Sequence, residues 1–146
     1  MRPVKSIAGH GLAVAIMVVT PAAVAHADEF QQFQSPSGNI FCNMPAFSGM
    51  SPEAVCEIVD RTWTAPPRSQ DCVGEWGDRV TLVQGGWPAF TCHTDTTRDP
   101  RLPVLAYGES RSVANLTCAS APDGVTCTET GTGHFFRISR ESYELY

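Results

Sequence analysis

Six cysteines (Cys42, Cys56, Cys72, Cys92, Cys118 and Cys127) all lie beyond residue 41 of a 146-residue chain. Ahead of them runs a segment with the layout of a cleavable export signal. Together these features confine the fold to a small domain matured in an oxidising compartment and held by up to three disulfides. Arg2 and Lys5 supply the charged n-region, Leu12 to Val19 the apolar h-region, and Ala25-His26-Ala27 the small-x-small cleavage pattern. The apolar run is well short of the ~20 residues that cross a bilayer, so no membrane anchor is expected. Residues 1–27 therefore read as a signal peptide, and residues 28–146 as one disulfide-stabilised domain, secreted or associated with the cell wall.

The balance of charge narrows the partners. Arg2 and Lys5 leave with the signal, so 8 arginines face 15 acidic residues, a net charge of −7. Nucleic acid and anionic membrane surfaces are poor partners for such a chain. Lys5 is the only lysine. Its loss excludes Schiff-base chemistry, Ser-Lys dyads and lysine-dependent phosphate loops from the exported domain. No G-x-S-x-G serine motif occurs, and no cofactor signature is present.

Six cysteines permit fifteen pairings. Leu116 to Ser120 and Val125 to Glu129 are β-prone runs around Ala121-Pro122-Asp123-Gly124, a sequence suited to a type I turn in a four-residue loop. With Ser120 facing Val125, Cys118 falls opposite Cys127, at a separation a disulfide spans. Order along the chain suggests Cys42–Cys56 and Cys72–Cys92 for the rest. Each local loop adds roughly 2.5–3.5 kcal/mol in the chain-entropy model. No C-x-x-C spacing points to zinc.

The remaining chain is turn-rich and short-stranded. Asp28 to Gln34 reads as an arm. Strands are expected at Asn39–Asn43, Ala54–Asp60, Arg79–Gln84, Ala89–His93, Leu102–Tyr107, Ser110–Cys118 and onward through the last hairpin, and Phe135–Ser139. A helical turn is expected at Ser139–Tyr143. Seven or eight short antiparallel strands imply an all-β sandwich or a partly open barrel.

Several segments then become familiar. Ser35-Pro36-Ser37-Gly38-Asn39-Ile40-Phe41-Cys42, Asp71-Cys72 with Trp76-Gly77, Cys92-His93-Thr94-Asp95-Thr96, Tyr107-Gly108, Gly124-Val125-Thr126-Cys127 and Gly133-His134 with Ser139-Arg140-Glu141-Ser142-Tyr143 resemble a family of small exported proteins from mycobacteria and related actinobacteria. The resemblance runs from about Phe33 to Leu145. Phe135 departs from it, standing where glycine is expected. The resemblance implies export, one domain and the cysteine framework, and it carries no catalytic residue, because that family is one of unknown function.

Three constellations are candidates for function. His93, Asp95 and His134 form the one metal-like or hydrolase-like set of the exported domain. Their ordinary alternative is a histidine packed beside its cysteine and an aspartate opening a turn. Glu53, Glu57, Asp71, Glu75 and Asp78 include spacings open to a glycosidase pair, or simply form a solvated acidic face. Trp63, Trp76 and Trp87 either fill the core or offer stacking surfaces for a sugar or protein, with Trp87 in Gly-Gly-Trp-Pro the most exposed. Asn115-Leu116-Thr117 is a glycosylation sequon. The leading expectation is a non-enzymatic exported module that binds a protein or glycan at the cell envelope. A small envelope hydrolase using His93, Asp95 or His134 is one alternative. A secreted inhibitor or effector presenting Ser110–Asn115 or Arg98–Pro103 is another.

Overall fold

The computed structural model of the protein describes residues 28–146, so the expected signal segment and its cleavage point lie outside the described residues. Ten strands follow in chain order: β1 (Glu29–Gln34), β2 (Ile40–Ala46), β3 (Glu53–Ile58), β4 (Arg79–Val83), β5 (Ala89–Phe90), β6 (Ser110–Val113), β7 (Leu116–Ala121), β8 (Gly124–Glu129), β9 (Phe135–Ile138) and β10 (Tyr143–Leu145). The first five make one antiparallel sheet in sequence order and the last five a second one. The sheets stack face to face, with β1 and β2 against β6, β3 against β7, and β4 against β8 and β9. The protein is an open two-sheet sandwich, not a barrel.

Alternation builds the interface. Ile40, Cys42, Met44, Ala54, Cys56, Ile58, Val80 and Leu82 point inward from the first sheet. Leu116, Cys118, Val125, Cys127, Phe136 and Ile138 meet them from the second. The other face of the second sheet, with Thr117, Ala119, Thr126 and Thr128, lies open or half-open to water. The first sheet differs, because β3 is buried along both faces. The segment after Cys92 crosses its outer face, where Thr97 Oγ1 donates to the Phe41 carbonyl (3.3 Å).

The disulfides sit within this frame. Cys42–Cys56 joins directly paired positions of β2 and β3, and Cys118–Cys127 does the same in β7 and β8. Cys72–Cys92 ties the loop before β4 to the segment after β5. The sulfurs of Cys56 and Cys127 touch across the two sheets at 3.7 Å. Cys42, Cys56 and Cys127 thus bring three sulfurs within 4.8 Å of one another. All three are oxidised and offer no thiolate to a metal.

Several local expectations change. The arm is strand β1, paired along its whole length with β2. The hairpin register does place Ser120 opposite Val125, but Ala121 also pairs with Gly124, so the loop has two residues rather than four. Gly124 has φ +127°, and a Cβ there would stand 2.2 Å from the Ile138 carbonyl oxygen, so only glycine fits. Leu102–Tyr107 is not a strand. The Gln34 amide captures the carbonyls of Pro100 (2.9 Å) and Leu102 (2.7 Å), leaving one bridge at Val104 while Leu105 plugs the core. Ser110–Cys118 breaks at Ala114, whose φ of +49° makes a turn between β6 and β7. Instead of a helical turn, Ser139 Oγ receives Ser142 N–H (3.1 Å) and sends the chain back as β10.

Candidate functional site

Glu57 lies on the outer face of the first sheet and is fully buried beneath the 93–98 segment. A carboxylate there requires hydrogen-bond partners and countercharge, because isolated burial is prohibitive. It has them. Oε1 accepts from Arg79 Nε (2.9 Å), Arg79 Nη2 and Thr97 N–H (3.0 Å). Oε2 accepts from Thr96 Oγ1 (2.7 Å) and Arg98 Nε (3.2 Å). Arg79 Nη1 continues to Asp95 Oδ1 (2.8 Å), and Arg98 Nη2 to Asp78 Oδ2 (2.5 Å).

His93 closes the cluster. Nδ1 stands 2.6 Å from the Asp95 carbonyl oxygen and Nε2 stands 2.9 Å from Asp78 Oδ1. Both partner atoms are oxygens placed to accept, an arrangement that favours the ring protonated on both nitrogens. Burial pulls its pKa down, but the bonds to Asp78 and to the Asp95 carbonyl outweigh that, and the net shift is upward. The Arg79 hydrogen bond in turn lowers the Asp95 pKa. With the ring protonated, Glu57, Asp78 and Asp95 face an equal number of cations in Arg79, Arg98 and His93. An imidazolium with both N–H groups engaged has no lone pair for a metal or for general-base work.

His134 precedes β9 of the second sheet and lies at the far end of the first, beside the β4–β5 turn. Its Nδ1 donates to the Gly86 carbonyl (2.7 Å), and its ring stacks on Trp87 with centroids 3.7 Å apart and planes inclined by 27°. The structure therefore brings His93 and the Asp95 backbone together and leaves His134 apart. Of the acidic residues, Glu57 and Asp78 are joined through Arg98 rather than as a free carboxylate pair.

The three tryptophans separate by environment. Trp63 is half-buried, gives its indole N–H to the Ser139 carbonyl (2.8 Å) and packs on Tyr143 and Phe90. Trp76 donates to the Pro66 carbonyl (2.9 Å) and reaches the same Phe90. These two seal the flank of the core. Trp87, in the β4–β5 turn, is 69% exposed, and His134 beneath it fixes the orientation of its ring.

A family model described as "Family of unknown function (DUF6636)" matches residues 12–146. The chain belongs to that family. No curated protein and no solved structure matches the chain. Membership spans all six cysteines and brings no assigned reaction, so the functional reading rests on geometry. Sequence reasoning missed the Glu57 cluster as a unit. The available signal was a lone glutamate between apolar neighbours in β3, a position that demands a buried cation.

Proposed function

We propose that this protein is an exported, non-catalytic binding module of the cell envelope that takes a glycan or protein ligand on the Trp87–His134 pair. The exposed, pre-oriented indole of Trp87 carries the reading. A large flat ring held in place by a second ring loses little side-chain entropy when a ligand stacks on it. Three disulfides suit an oxidising compartment. Among the described residues no helix is long and apolar enough to cross a membrane. The alternative of catalysis at His93 is disfavoured because its ring nitrogens are both engaged.

Photo-crosslinking of the exported protein in its own envelope fraction tests the proposal, with the probe placed beside position 87. A discrete adduct should form and should be lost in Trp87→Ala, whose thermal unfolding stays that of the parent. Undiminished adduct in that variant would remove Trp87 from the binding surface.

A further inference from the structure

At the end of the first sheet away from Trp87 lies a cleft of about 370 Å³. The register shows the separation. β3 enters beside Val83, which leads to Trp87, and leaves at Ile58, beside Ile40, towards the cleft. Four turns from distant parts of the chain meet there: the entry to β2, the exit of β3, the β7–β8 hairpin tip and the β9–β10 turn. Cavities of this volume fall in the range that holds small ligands.

The backbone of the cleft is tightly held. The Asn39 side chain clamps Asp60 on both its main-chain groups, with Nδ2 donating to the carbonyl (3.0 Å) and Oδ1 accepting from N–H (2.7 Å). Ser35 Oγ receives Ile40 N–H (3.1 Å). The Arg140 carbonyl receives Thr62 N–H (2.8 Å) and Oγ1 (3.2 Å). The side chains that project from this frame are the reverse. Among the described residues, the carboxylates of Asp60 and Glu141, the Arg140 guanidinium and the Tyr107 hydroxyl make no hydrogen bond or ion pair. All four side chains are exposed, so their donors and acceptors are available to a ligand while the backbone that carries them stays in place.

From this arrangement we infer that the cleft binds one neutral sugar unit, free or at the end of a glycan. Two carboxylates accept from hydroxyl groups, one guanidinium donates to ring or hydroxyl oxygens, and Tyr107 and Pro122 offer surface to the C–H face. Two negative charges against one positive oppose a phosphate or another anion. The site stands whether or not Trp87 contacts a ligand, because the two share no residue.

Amide chemical shifts of the isotope-labelled protein, recorded during separate titrations with glucose, galactose, mannose and arabinose, test this. At least one sugar should shift the Asn39, Asp60, Gly124 and Arg140 amides saturably, on a scale of about 1 mM for so small a ligand. Asp60→Asn combined with Arg140→Ala should weaken that binding about tenfold or more, as loss of charged hydrogen bonds implies. Trp87→Ala should leave it intact. No saturable shift with any of the four sugars would overturn the inference, as would shifts confined to Trp87 and His134 or unaffected by the double variant.

Discussion

Glu57 within β3 and Asp60 just past its end lie three residues apart and carry the same functional group, yet their surroundings are opposite. The first is sealed under a loop, with both oxygens fully engaged by two arginines, a hydroxyl and a backbone amide. The second has its backbone locked by Asn39 and its carboxylate left without a partner among the described residues. The densest charge cluster among the described residues therefore does structural work. It pins the 93–98 segment across the first sheet. Clustering and burial alone do not mark a site when every donor and acceptor is already engaged.

That contrast can be broken or sharpened by measurement. Glu57→Ala takes a shared acceptor from the buried Arg79, the exposed Arg98 and the Thr97 amide, and should cost about 3–5 kcal/mol. Urea unfolding with disulfides intact reads it directly, and an unchanged midpoint would mean the cluster is not holding the loop. Asn39→Ala removes the clamp and its two hydrogen bonds, for about 1–2 kcal/mol by the same assay. It should also broaden the amide resonances of Asp60.

His93 gives the charge cluster a pH signature. Its native pKa lies above the ordinary histidine value, so its stabilising contribution is fully present below about 6.5 and is lost as pH rises through the native pKa. The charged groups that face its ring are Asp78, Asp95, Glu57 and Arg79. Wild type should therefore exceed His93→Gln most near pH 5–6, and the two curves should converge towards alkaline pH. A gap that is constant with pH would mean the ring is neutral in the native state. Smallest of all, Asp60→Asn and Arg140→Ala should each move stability by no more than about 0.5 kcal/mol. A larger loss from either would reveal a structural role and remove the distinction between the two regions.

The parts of the fold that are legible in sequence are those set by local chemistry. Strict alternation in Leu116–Ser120 and Val125–Glu129, with Pro122 and Gly124 between, specifies one hairpin and its register, and strands of this kind throughout specify an all-β sandwich. What escapes is decided by contacts distant along the chain. Leu102–Tyr107 has the apolar content of a strand, but the Gln34 side chain holds the carbonyls of Pro100 and Leu102 at its start. The arm becomes β1 because β2 folds back on it. Glu57 draws its partners from positions 79 and 98, which no periodicity connects. The placement of Trp87 in a turn can be read from Gly85-Gly86-Trp87-Pro88, whereas the histidine beneath it comes from the other sheet.

None of the three disulfides crosses between the sheets. Cys42–Cys56 and Cys72–Cys92 belong to the portion of the chain that builds the first, and Cys118–Cys127 to the portion that builds the second. The covalent path passes between them once, through the exposed Ala106 to Glu109 stretch. A single proteolytic nick there would turn the molecule into two separately cross-linked peptides that share one hydrophobic seam. In its assembly logic the protein is a heterodimer written as one polypeptide, and the dissociation constant of its two pieces would report how strongly that seam holds.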